Sequence, residues 1–151
     1  MTLPLTLSSL SPIDTERVGA ELAEQMLSDS SLPPFVALYG DLGVGKTAFV
    51  RGFTSIFAPR ARVKSPTFAL VHEYRGESKT VFHFDMYRIE SEDDLDSIGF
   101  YDYWNRSGIC LIEWSEKIEF ALPDQYLRVE IVKDSFTNTD SRRITVDSVG
   151  F

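Results

Sequence analysis

Cysteine is almost missing from this sequence: the only one among 151 residues is Cys110, inside the apolar run ICLI. No internal disulfide can form, and the thiol reads as a reduced core group. Long hydrophobic runs are missing too. Nothing approaches the ~20 apolar residues of a membrane span, and the start MTLPLTLSSLSP has neither the basic opening nor the long apolar centre of a signal peptide, so the expected location is the cytoplasm. Cations are in deficit, with 15 Lys and Arg against 23 Asp and Glu, a net charge of −8. Phosphate backbones are bound by cations, so this balance speaks against autonomous binding of DNA or RNA; a nucleic acid would have to be held by another protein. There is no linker or low-complexity tract. The expectation is one domain spanning residues 1–151, long enough to bury a core unaided.

What is present is an alternation of helical and strand patterns. Residues 14–28 carry Val18, Leu22 and Met26 at helical spacing, with Asp14 or Thr15 available as N-cap. FVALYG is a short all-apolar run ended by glycine, as expected of a strand buried on both faces, and a glycine loop leads from it into a helix over residues 46–57. FALVHEY and TVFHFDMY read as an antiparallel pair joined through RGESK. The acidic segment ESEDDLDSIGF reads as a solvated surface helix, GICLIEW as a second central strand, and YLRVEIV with RRITVDSV as a closing hairpin. The fold class is therefore α/β, a P-loop NTPase-like mixed central β-sheet flanked by helices in a single domain.

The glycine loop carries the strongest chemical signal. Gly40, Gly45, Lys46 and Thr47 fit the pattern G-x-x-x-x-G-K-[ST], which average residue frequencies would produce by chance in only about one chain in two hundred of this length. Glycines let the backbone wrap an anion with its N–H groups pointing inward, and the following helix adds the positive end of its dipole. Lys46 would reach the β and γ phosphates, and the Thr47 hydroxyl would ligate magnesium. The guanine-reading pattern [NT]-K-x-D is absent, so ATP is the expected nucleotide.

Such a loop needs an acid at the end of a neighbouring strand. Asp85 ends VFHFD and Glu113 ends ICLIE; spacing alone does not divide the roles of metal ligand and water-orienting group between them. Thr67, in KSPTF, stands where a sensor of the γ phosphate would stand. His83 shares the face of Asp85, and its plainer reading is a hydrogen-bonded core histidine. No arginine stands out as a transition-state finger, and the sequence leaves open whether Arg142 or Arg143 of the closing hairpin approaches the nucleotide.

Taken together, GDLGVGKT, KSPTF, HFDMYRI, GFYDYW and ICLIEW, followed by LPD, resemble the bacterial TsaE family, formerly YjeE, over residues 14–132. The resemblance implies a slow, magnesium-dependent ATPase that works with TsaB and TsaD in N6-threonylcarbamoylation of adenosine 37 in tRNAs reading codons that begin with A, touching tRNA only through the complex. Carried over by motif, it puts the nucleotide loop on Gly40, Asp41, Leu42, Gly43, Val44, Gly45, Lys46 and Thr47, the magnesium ligands on Thr47 and Glu113, and the catalytic aspartate on Asp85. It also matches Thr67 to a switch-like threonine, Trp114 to a tryptophan packed near the nucleotide, and Thr15 to a threonine near the adenine. Val44 and Ala48 depart from the alanine and threonine common in the family. A P-loop kinase of a small metabolite and a nucleotide-dependent binding module without turnover are the alternatives. Phosphate transfer to an added acceptor identifies the first, and single-turnover hydrolysis separates the second from an ATPase.

Overall fold

A computed structural model describes residues 2–41, 43–66, 70–134 and 138–151; Leu42 and Thr67, both expected site residues, lie outside them. In chain order the elements are β1 (Leu5–Ser9), α1 (Pro12–Ser28), β2 (Phe35–Tyr39), α2 (Lys46–Phe57), β3 (Val71–Tyr74), β4 (Thr80–Asp85), α3 (Glu92–Ile98), α4 (Phe100–Tyr103), β5 (Gly108–Glu113), β6 (Tyr126–Lys133) and β7 (Arg142–Val149). Two 3-10 turns, Ser115–Lys117 and Glu119–Ala121, follow β5.

Among the described residues seven strands form one mixed sheet in the order β1-β7-β6-β2-β5-β4-β3. The four inner strands β4, β5, β2 and β6 run parallel, while β3, β7 and β1 add antiparallel pairings. Parallel strands covered on both faces must be apolar on both, and β2 and β5 are buried at every residue. Alternate residues of β2 enter different cores. Val36 and Leu38 pack with Val18, Leu22, Phe49 and Phe53 of the two long helices, and Phe35, Ala37 and Tyr39 with Phe82, Phe84, Leu95 and Phe100 on the opposite face. Each fully buried phenylalanine stabilises the fold by about 1.5–3 kcal/mol, so α2 is held chiefly by Phe49 and Phe53. The two helices approach so closely that a Cβ on Gly52 would lie 1.8 Å from the Glu16 carbonyl oxygen.

Two expectations need correction, and one element was not expected. The N-cap of α1 is Ser11, whose Oγ accepts the Asp14 N–H at 3.1 Å, rather than Asp14 or Thr15; Pro12 opens the helix, where a missing N–H costs nothing. The acidic helix is two pieces, because Gly99 turns left-handed at φ 68° and ends α3. An edge strand, β1, precedes α1 and pairs with β7, half-buried at Leu5 and Leu7 and exposed at Thr6 and Ser8.

Candidate functional site

The site lies where the inner parallel strands end. After Tyr39 the chain makes the glycine loop, with Gly40, Gly43 and Gly45 at φ 148°, 79° and 105°, conformations that side chains resist. At Gly40 space also demands glycine, since a Cβ would sit 2.6 Å from the Ile131 carbonyl oxygen. Gly45 opens α2 with no side-chain cap, and the first turn holds no acidic residue. Uncapped N–H groups at the start of a twelve-residue helix favour an anion.

Lys46, only 4% exposed, turns back over this loop. Its Nζ donates to the Gly40 carbonyl at 2.6 Å and lies 3.6 Å from the centre of the Trp114 ring. Burial pushes the ammonium below the ordinary lysine range, and the carboxylates of Glu116, Glu113, Asp85 and Asp41 oppose that shift. Trp114 itself adopts the left-handed region at φ 60° and packs 5.0 Å from Tyr87.

The two acids sit side by side. Asp85 ends β4 and Glu113 ends β5, paired in register on adjoining parallel strands, and both are buried. Asp85 Oδ1 accepts the Tyr87 N–H at 2.9 Å. Glu113 Oε2 is 2.5 Å from Nε2 of the fully buried His83, which fits the core-histidine reading.

A cavity of about 450 Å3 gathers Gly43, Gly45, Lys46, Thr47, Asp85, Glu113 and Trp114 with Ser65, Tyr87 and Arg88. Thr15 stands apart from it, in a smaller cavity of about 250 Å3 with Gly45, Ala48 and Arg142, its hydroxyl 2.7 Å from Ser9 Oγ. Asp41 is exposed and, with Gly40, lines a third cavity beside β6. Among the described residues no three His, Cys, Asp or Glu side chains form a metal cluster. A magnesium ion held by one or two protein oxygens and by phosphates needs none.

Sequence reasoning missed two residues here, Glu116 and Arg88, and left Arg142 open. Glu116 accepts the Gly40 N–H at 3.2 Å, Arg88 lines the main cavity, and Arg142 contacts the loop from β7. Arg88, three residues beyond Asp85, was within reach of a spacing argument, whereas Arg142 is distant in sequence and is brought in by strand pairing alone.

A glycine loop between a central parallel strand and a helix, with its lysine, threonine and paired strand-end acids, defines a P-loop NTPase-like α/β protein. Residues 10–144 match the model of the family described as threonylcarbamoyl adenosine biosynthesis protein TsaE. The chain is 42% identical over 116 residues to the tRNA threonylcarbamoyladenosine biosynthesis protein TsaE of Haemophilus influenzae, covering 76% of this chain and 73% of that one. It is 37% identical over 115 residues to the protein of the same name from Bacillus subtilis, covering 76% and 70%. The crystal structure of Bacillus subtilis YdiB superposes with a TM-score of 0.75 at 28% identity, over 100% of this chain and 88% of that one. The chain belongs to the TsaE family.

Proposed function

We propose that this protein binds ATP with magnesium and hydrolyses it slowly, in support of N6-threonylcarbamoylation of adenosine 37 in tRNAs reading codons that begin with A, together with TsaB and TsaD in the cytoplasm. One observation carries the reading: Lys46, Thr47, Asp85 and Glu113 converge in one cavity at the uncapped start of α2.

The donor set fits a magnesium polyphosphate. Backbone N–H groups of the loop and the Lys46 ammonium would hold the phosphates, and the hard oxygens of Thr47 and Glu113 would hold magnesium. When bound, ATP with magnesium supplies an electrophilic phosphoryl group and the charge that stabilises its transfer. Asp85, aimed by the Tyr87 amide, would orient a water and accept its proton. Trp114 would pack near the nucleotide and Thr15 near the adenine, while Thr67 keeps the switch-like role implied by its motif. The net charge of −8 suits a role in which tRNA is held by the partner proteins.

Reconstitution tests this reading. Phosphate release and tRNA modification are measured with TsaB and TsaD, with and without this chain; the expected result is modification that depends on the chain and turnover that rises several-fold with the partners. Modification that proceeds without it, or phosphate transferred to an added metabolite, would overturn the proposal.

A further inference from the structure

The first residue of β7 spends its side chain on the backbone of the glycine loop. Arg142 Nε donates to the Val44 carbonyl at 2.9 Å and Nη2 to the Gly43 carbonyl at 3.4 Å, while Nη1 donates to the carbonyls of Thr139 and Ser141 at 2.5 and 3.0 Å. All four of these acceptors are main-chain oxygens, so the guanidinium is tied to the protein on both arms. We infer that Arg142 is a positioning residue for the glycine loop: it pins the carbonyls of Gly43 and Val44 to β7 and so sets the direction of the two N–H groups that follow them. The inference rests on the proposed ATP binding.

Peptide geometry supplies the link. In a planar trans peptide the C=O and the next N–H point in opposite directions. Drawing the Gly43 and Val44 carbonyls toward β7 turns the N–H groups of Val44 and Gly45 away from it, the first onto the Asp41 carbonyl at 3.4 Å, a turn inside the loop, and the second toward the start of α2. Both glycines flanking Val44 are left-handed, and glycine is the residue that loses most conformational freedom on ordering. An unsupported loop of this composition would have to pay that entropy when an anion arrives, whereas a loop fixed beforehand would not. Arginine suits the task better than lysine because its planar fork spans two adjacent carbonyls, while an ammonium acts as a point charge. The neighbouring Arg143 is 54% exposed and meets Asp134 at 3.4 Å, carrying the same charge without a hydrogen bond to the loop among the described residues.

Calorimetric titration of the full chain with ATP and magnesium, and separately with pyrophosphate, tests the inference on Arg142→Lys, Arg142→Ala and Arg143→Ala, with thermal melts of each. Losing charged hydrogen bonds to the loop should weaken both ligands about tenfold or more in Arg142→Ala. Arg142→Lys should recover little, because charge without the fork does not hold two carbonyls, and Arg143→Ala should stay within about twofold of the parent. Wild-type affinity in Arg142→Lys would show that charge alone acts and would overturn the positioning role, as would wild-type affinity in Arg142→Ala. Equal weakening in Arg143→Ala would overturn it too. Failure of the parent chain to bind ATP would instead overturn the proposed function, and this inference with it.

Discussion

His83 and Glu113 form a hydrogen-bonded pair closed to solvent, Nε2 to Oε2 at 2.5 Å, between β4 and β5. The imidazole thus fixes the orientation of the carboxylate proposed to hold magnesium. His83→Ala should cost about 1–3 kcal/mol of stability by leaving a buried carboxylate without its partner. It should also raise the magnesium concentration needed for nucleotide binding about tenfold, as loss of a ligand's supporting hydrogen bond usually does. Denaturant melts and magnesium titrations check both, and His83→Gln should restore part of the second effect.

Lys46→Ala removes the one cation buried against the glycine loop among the described residues. ATP hydrolysis should fall by about 100-fold or more, the scale seen when a charge-stabilising group is lost. Phosphate-release assays give the number, and far-UV dichroism verifies that the fold persists.

Asp85 and Glu113 should separate kinetically although they are neighbours in register. Glu113→Ala is expected to weaken magnesium-dependent binding, and Asp85→Asn to slow turnover while leaving binding within a few-fold. Single-turnover hydrolysis alongside calorimetry distinguishes the two patterns, and the reverse result exchanges their roles.

Gly52→Ala poses a competition with a calculable sign. Alanine in a helix is ordinarily favoured over glycine by about 1 kcal/mol, but here the added Cβ would lie 1.8 Å from a main-chain oxygen of α1. Parting the two helices costs about 1–3 kcal/mol, so the variant should unfold at a lower denaturant concentration.

Burial pushes the Cys110 thiol up to about 12. With its titration raised this far, the thiol stays protonated at pH 8, where an ordinary cysteine is partly thiolate. A thiol-reactive chromophore should therefore leave the native chain unlabelled at pH 8 and label one site after denaturation.

The parts legible in sequence are those written locally. The start of α2 is legible because the glycine loop and Lys46 mark it chemically. The central strands were legible because burial on two faces forces continuous apolar runs. What escaped is non-local or competitive. LTLSS is a weak alternating run whose strand character comes from β7, at the far end of the sequence. Ser11 outcompeted Asp14 and Thr15 as cap once Pro12 took the first helical position. The partners of His83 and of the Gly43 and Val44 carbonyls are assembled by the sheet, so no spacing rule near either one reveals them.

The outer margins of the sheet bear on how copies of this protein meet. β3 offers a run of four residues and β1 a run of five, the latter bounded by Pro4 and Pro12, which cannot donate to a growing ladder. The parallel interior, which would be the dangerous template if bare, is flanked on both sides by antiparallel strands. Short margins and a shared negative charge discourage sheet-to-sheet templating between copies, leaving the strand-end cavity as the part of the surface most suited to selective contact.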